Sequence, residues 1–250
     1  MKKVNKNLFI IFGTTSGIGK ELYKYTTTFS ENSFILVNRK SVTISKKKDC
    51  KKLMLDLSKS LTNNKISKLR KLFSQQHGYK NILLILNASV VEPIKRIGFV
   101  RDELLLESTH VNFLNYKRIV NIFISSTRHL SAKKKILAIS SGAATSPNIG
   151  LASYCSTKAA LEMFIKCLFL EQKKKSEFSV IALRPGIVDT NMQKIIRSSK
   201  KENFPKVSIH KKMHKQKKLL KPEDVARKIY SLINSNIYWS NPIIDIKDIK

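Results

Sequence analysis

Leu8-Phe9-Ile10-Ile11-Phe12 runs without a break into Gly13-Thr14-Thr15-Ser16-Gly17-Ile18-Gly19, and helical spacing of apolar residues starts at Gly17. A buried strand that feeds a glycine turn and then a helix is a ready-made phosphate site. Glycine lets backbone approach the anion with no Cβ in the way, and the first helical turn offers unpaired N–H groups at the positive end of the helix dipole. The chain has only eight glycines, yet three of them fall within these seven positions. We therefore read Gly13, Thr15, Ser16, Gly17, Ile18 and Gly19 as dinucleotide-binding.

Outward from that turn, short apolar runs alternate with longer amphipathic stretches. Strands are predicted at 8–12, 34–37, 53–55, 82–86, 136–139, 179–183 and 242–246. Helical spacing covers 17–29, 66–73, 103–124, 152–170 and 222–233, the last opened by a proline suited to a first helical turn. This alternation predicts an α/β fold: a Rossmann-type, doubly wound parallel sheet of about seven strands in a single domain over residues 1–250. No internal repeat or Pro/Gly/Ser linker divides the chain. The long stretch 191–218 lacks strong periodicity, exceeds an ordinary connection and is expected to be a substrate lid.

The formal net charge is +31. Nucleic-acid binding is nevertheless not expected: only nine of the 48 basic residues are Arg, the residue suited to bidentate phosphate and base contacts. The lysine clusters 46–48, 133–135, 173–175 and 211–218 fall between apolar runs, where loops and helix ends should lie. A solvated basic surface is the expectation. No apolar run approaches the ~20 residues of a membrane span, and 8–12 is shorter than a signal-peptide core. Cys50, Cys155 and Cys167 form no CxxC pair, so neither zinc nor any other metal is expected; they read as reduced thiols of a cytoplasmic protein.

The end of the second strand sets cofactor preference. An acidic residue there binds the ribose hydroxyls of NAD, whereas Asn38-Arg39 offers an uncharged amide and a guanidinium that can grip a 2′-phosphate, with Lys40 as a helper. NADP(H) is the expected cofactor.

Tyr154-Cys155-Ser156-Thr157-Lys158 places a phenol and an ammonium one helical turn apart. A charge at ~5 Å and an effective dielectric of about 20 contributes about 3 kcal/mol, which should bring the phenol toward the operating pH. Seven tyrosines among 39 lysines predict about one such spacing by chance. Placement is what counts: the pair opens a long helix thirteen residues after Ser141, which lies just past the fifth predicted strand, at a carboxyl end where ligands bind.

Gly13 to Gly19, Asn87-Ala88, Asn112, Ser141, Tyr154/Lys158 and Pro185-Gly186, in this order, resemble the short-chain dehydrogenase/reductase family across nearly the whole chain. The resemblance implies a proton-relay tetrad. Tyr154 would protonate the substrate oxygen and Ser141 would bind that oxygen. Lys158 would hold the nicotinamide ribose and lower the Tyr154 pKa, and Asn112 would hold a water that connects Lys158 to solvent. It also implies that Asp56-Leu57 meets the adenine, that Asn87-Ala88 lines the cofactor cleft, and that Pro185, Gly186, Ile187 and Thr190 hold the carboxamide. The family's Asn-Asn-Ala-Gly stands here as Leu86-Asn87-Ala88-Ser89.

Within the family, the run from Arg184 to Gln193, Lys218-Leu219-Leu220 and Ile244-Asp245-Ile246 look most like benzil reductases and the related sepiapterin reductases. That implies NADPH-dependent reduction of one carbonyl of a small dicarbonyl or a pterin-like ketone by a homodimer or homotetramer. Asp189 is then either a pterin-gripping carboxylate or a helix N-cap. The alternatives are a 3-oxoacyl-acyl-carrier-protein reductase, whose basic surface would dock an acidic carrier, and a noncatalytic NADP-binding or basic interaction protein. The intact Ser141, Tyr154 and Lys158 set speaks against the last.

Overall fold

The computed structural model describes residues 7–41, 49–172, 178–235 and 237–249. Among the described residues there are seven strands: β1 (Asn7–Phe12), β2 (Asn32–Asn38), β3 (Cys50–Met54), β4 (Asn81–Leu86), β5 (Lys133–Ile139), β6 (Phe178–Arg184) and β7 (Ile243–Asp245). They form one sheet in the order β3-β2-β1-β4-β5-β6-β7, and every neighbouring pair is parallel. The strand order reverses between β1 and β4, which makes their carboxyl ends the crevice where such sheets bind ligands.

Both faces of the sheet are covered, which is why the inner strands read as continuous apolar runs rather than alternating ones. One face packs Ile10, Phe12, Leu84 and Ile136 against α2 (Asn63–Ser74), α4 (Asn115–Thr127) and α5 (Ala152–Gln172). The other packs Phe9, Ile11, Leu83 and Ile181 against α1 (Gly17–Thr26) and α8 (Pro222–Asn234). No helix among the described residues is long and apolar enough to cross a membrane.

Three expectations change. The helix predicted over 103–124 is α3 (Asp102–Thr109), then a π-helical turn at His110–Leu114, then α4. Single π turns break the regular ladder and occur frequently at functional sites; this one carries Asn112. The aperiodic stretch 191–218 is not structureless, since it holds α6 (Asn191–Arg197) and α7 (Val207–Lys215). Their apolar residues are too few and too closely spaced to give a strong period.

The lysines at 133–135 do not lie in a loop; they begin β5. Lys134 is fully buried, with its stem in the core, its ammonium donating to the Leu130 carbonyl at 2.6 Å and lying over the Phe178 ring. Lys135 caps the last turn of α8 through the Ile233 carbonyl at 2.6 Å. Long aliphatic stems let lysine occupy strand positions once the charged head finds a carbonyl. The clusters at 46–48 and 173–175 lie outside the described residues, whereas Lys211, Lys212, Lys215, Lys217 and Lys218 are exposed on and just after α7.

Candidate active site

The glycine turn closes on itself and on β4. A Cβ on Gly19 would lie 1.9 Å from the Gly13 carbonyl, and one on Gly13, whose φ is +86°, would meet Ala88 at 2.8 Å. That same Gly13 carbonyl accepts from Asn87 Nδ2 at 2.6 Å. Across the cleft, a Cβ on Gly17 would press on the Thr190 methyl at 3.1 Å, so the turn and the segment after β6 approach each other closely. The Ser16 side chain makes no capping bond and the first turn of α1 holds no acidic residue. A helix N-terminus without an internal carboxylate or cap fits the phosphates of a dinucleotide.

At the end of β2, Asn38 is buried, and its amide is taken up by Thr14: Oδ1 accepts the Thr14 N–H at 2.7 Å and Nδ2 donates to the Thr14 hydroxyl at 2.9 Å. Asn38 thus shapes the glycine turn, while Arg39 and Lys40 stand exposed beside it. Asp56, past β3, is close enough to Arg39 to feel its charge. Burial pushes the Asp56 carboxyl up. The Ser58 backbone N–H and hydroxyl, Arg39 and Lys65 together hold it below the usual value. Leu57 is held from α4, where Asn115 Nδ2 donates to the Leu57 and Lys59 carbonyls at 2.8 and 2.9 Å.

Asn112 is fully buried, so it is no surface amide. Its Oδ1 accepts from the Ser89 hydroxyl at 2.8 Å and the Val90 N–H at 2.9 Å, and its Nδ2 donates to the Val90 carbonyl and, at 3.3 Å, to the Thr157 hydroxyl. The side chain therefore ties the segment after β4 to the turn of α5 between Tyr154 and Lys158. The Ser89 hydroxyl, standing where the family has glycine, finds its partner here.

Ser141 follows β5, and its Oγ accepts the Ala143 N–H at 3.2 Å. Tyr154 and Lys158 sit on the inner face of α5, both buried. The Lys158 ammonium donates to the Ile139 carbonyl at 2.8 Å and lies 5.7 Å from the centre of the Tyr154 ring. Here the expected electrostatics are overturned. Burial pushes the Tyr154 phenol up to about 12, against the opposing Ser141 hydroxyl, instead of Lys158 drawing it down. Burial also pushes Lys158 down to about 7, against the raising effect of Glu162. Desolvation of the buried phenol is the dominant influence on it here.

The segment 191–218 covers this centre. Its two ends are joined at the base: Val188 bridges Leu220, the Leu220 N–H donates to the Ile187 carbonyl at 2.9 Å, and the Asp189 N–H donates to the Leu220 carbonyl at 2.9 Å. Ile196, Phe204 and Val207 pack with Val91, Leu151 and Tyr154 into a third apolar cluster, and the Tyr154 hydroxyl lies 3.9 Å from Met192 Sδ. The N-cap of α6 is Thr190, not Asp189. The Asp189 carboxylate instead faces Arg197 at 3.4 Å and His214 at 3.8 Å, so it meets both α6 and α7. Among the described residues no group of His, Cys, Asp and Glu could hold a metal ion.

The sequence reading missed Glu162, Arg184, Met192 and Phe204. Glu162 was findable as the next position on the Tyr154/Lys158 stripe; Met192 and Phe204 carried no local signal.

A doubly wound sheet with a glycine-lined phosphate turn at its switch point, and a Ser/Tyr/Lys group at the adjacent strand ends, defines a Rossmann-type oxidoreductase. The chain belongs to the short-chain dehydrogenase/reductase family: the family model described as short chain dehydrogenase matches residues 7–201. It is 30% identical over 247 residues to a benzil reductase ((S)-benzoin forming) of Bacillus cereus, covering 96% of this chain and 98% of that protein. It is 27% identical over 174 residues to the sepiapterin reductase of Rattus norvegicus, covering 68% of this chain and 64% of that protein. The crystal structure of KRED1-Pglu superposes with a TM-score of 0.80 at 22% identity, covering 96% of this chain and all of the other. Members of this family use nicotinamide cofactors.

Proposed function

We propose that this oxidoreductase is an NADPH-dependent carbonyl reductase acting on a ketone of a small dicarbonyl or pterin-like substrate, with Tyr154 as the general acid. One observation carries the reading: the Tyr154 hydroxyl points into an apolar enclosure beside Ser141, at the carboxyl ends of the strands next to the glycine turn. The bound nicotinamide supplies the hydride. This chain's residues do the remainder. Ser141 and Tyr154 hold the carbonyl oxygen, and Tyr154, neutral because burial pushes it to about 12, gives that oxygen its proton. The Lys158 ammonium balances the tyrosinate left behind. Gly13, Thr15 to Gly19, Asp56, Leu57, Asn87, Ala88, Pro185, Gly186, Ile187 and Thr190 would form the cofactor cleft, with Arg39 on the 2′-phosphate. The long match to a benzil reductase supports the dicarbonyl class.

In the same reading 191–218 is the substrate lid, and water is kept from the reacting atoms by Ile196, Phe204 and Val207. Helices α3 and α5 leave Leu106, Met163 and Leu170 exposed, which supports a homodimer or homotetramer through that face. Oxidation of NADPH by the purified protein is measured with benzil, sepiapterin and acetoacetyl thioester, with NADH in parallel. Turnover of benzil or sepiapterin with NADPH is expected. Turnover of the thioester alone overturns the dicarbonyl and pterin class, and faster turnover with NADH overturns the cofactor assignment.

A further inference from the structure

Tyr154, Lys158 and Glu162 occupy positions i, i+4 and i+8 of α5 and share one stripe of that helix. Glu162 is 3% exposed. Its Oε1 accepts from the Ser140 hydroxyl at 2.7 Å and from Arg184 Nε at 2.7 Å, and its Oε2 accepts from Arg184 Nη2 at 2.7 Å. Arg184 also faces Asp245 of β7 at 3.7 Å, and the Ser140 N–H donates to the Leu183 carbonyl at 2.8 Å. The ends of β5 and β6 are thus held to one turn of α5 by one carboxylate, and Arg184 reaches on from there to β7. Burying such a pair gains little stability over apolar side chains of the same volume.

We propose that Glu162 is a positioning residue for carbonyl reduction: it fastens the end of β5 that carries Ser141 to the end of β6 that leads into Pro185 and Gly186, and its negative charge keeps the neighbouring Lys158 ammonium charged. The proposal rests on the reading of Tyr154 and Lys158 given above. Among the described residues, the groups that face this stretch of α5 are Tyr154 and Glu162 on the helix itself, the Ile139 carbonyl of β5 that accepts from Lys158, the neutral Ser140 that donates to Glu162, the neutral Asn112 that donates to Thr157, and Arg184 of β6, which pairs with Glu162 and Asp245. Burial drives Lys158 toward its neutral form, and Glu162 is the charge that opposes it.

The test is an NMR titration of the Lys158 ammonium in cofactor-free wild-type protein and in Glu162→Gln, which keeps the shape and removes the charge. The midpoint is expected to fall by about one pH unit in Glu162→Gln. Glu162→Asp, which restores the charge, should return it close to the wild-type position. The high-pH limb of kcat/KM for benzil reduction with NADPH should move down with the midpoint. A purely structural Glu162 would lower the rate by one factor at every pH and leave the titration in place, which overturns the proposal. Where Glu162→Gln does not fold, Arg184→Gln removes the cation from the same carboxylate and should move the midpoint up; an unmoved midpoint overturns the proposal there too. The titration needs no substrate. A wild-type protein that reduces no carbonyl therefore sinks the reductase reading alone, and an unmoved midpoint in an active enzyme sinks this one alone.

Discussion

Two lysines mark the two ends of β5, and locally they are nearly alike. Lys134, at the amino end, and Lys158, packed against the carboxyl end, are both fully buried. Each ammonium donates to one backbone carbonyl, Leu130 at 2.6 Å and Ile139 at 2.8 Å, and each lies near an aromatic ring, 5.1 Å from Phe178 and 5.7 Å from Tyr154. What separates them is what else converges there. At the carboxyl end are a phenol, Ser141, a buried carboxylate and the glycine turn. The amino end, where Lys134 meets the Leu130 carbonyl and the Phe178 ring, lies at the opposite end of the strands from the glycine turn. Burial of a charge is therefore not by itself a mark of function; its place on the sheet and its titratable neighbours are.

The largest effect that would break this contrast is at the reacting group. Tyr154→Phe should lower kcat by at least about 1000-fold while leaving NADPH binding, measured by fluorescence, within a few-fold of wild type. Full activity in that variant would falsify the assigned acid. Next comes the lysine pair itself. Lys158→Met should lose turnover by about 100-fold or more, whereas Lys134→Met should stay within about twofold; equal losses at both positions would erase the distinction.

Burial of Lys158 should also show in stability. The Lys158 ammonium is held at about 7, below its ordinary 10.5, so between those values the unfolded chain binds more protons than the folded one. Stability from this group should therefore rise with pH from about 7 to 10.5 and be flat below. Lys158→Met should remove that slope and raise Tm by a few degrees at neutral pH, the usual trade between a strained site and stability. A wild-type denaturation series with no rise across that window would contradict the assigned burial cost.

Two smaller effects sharpen the carboxyl-end picture. Phe204→Ala removes about 3 kcal/mol of apolar contact from the lid. It should raise the KM for benzil about tenfold and speed hydrogen exchange in 191–218, with the sheet unchanged. Exchange that speeds equally in β1 and β4 would mean that the lid is not a separate cooperative unit. Arg39→Ala should weaken NADPH by roughly tenfold and NADH hardly at all, as expected for one exposed charge-assisted contact. Equal weakening of both would remove the 2′-phosphate assignment.

Much of this carboxyl end was legible in the chain. All seven strands lie within a few residues of their apolar runs, and the five inner ones are the plainest because an inner parallel strand must be apolar on both faces. The glycine turn was visible because glycine is rare here and the turn is local. The lysines at 133–135 misled, since a charge run in sequence looks like solvent until the structure supplies Leu130, Ile233 and Phe178 as partners. Helices α6 and α7 were hidden because their packing partners, Val91, Leu151 and Tyr154, lie 38 or more residues away.

The sequence by itself determined the order of elements, the glycine turn, and the one-turn spacing that puts Tyr154, Lys158 and Glu162 on one stripe of α5. These depend on backbone periodicity and on residues a few positions apart. Only the tertiary structure decided the charge states and the enclosure: that Tyr154 is pushed up rather than down, that Asn38 serves Thr14, that Asp189 ties Arg197 and His214 instead of capping α6, and that Met192 stands over the phenol. Desolvation and ion pairing depend on which distant segments meet, and no spacing along the chain encodes that meeting.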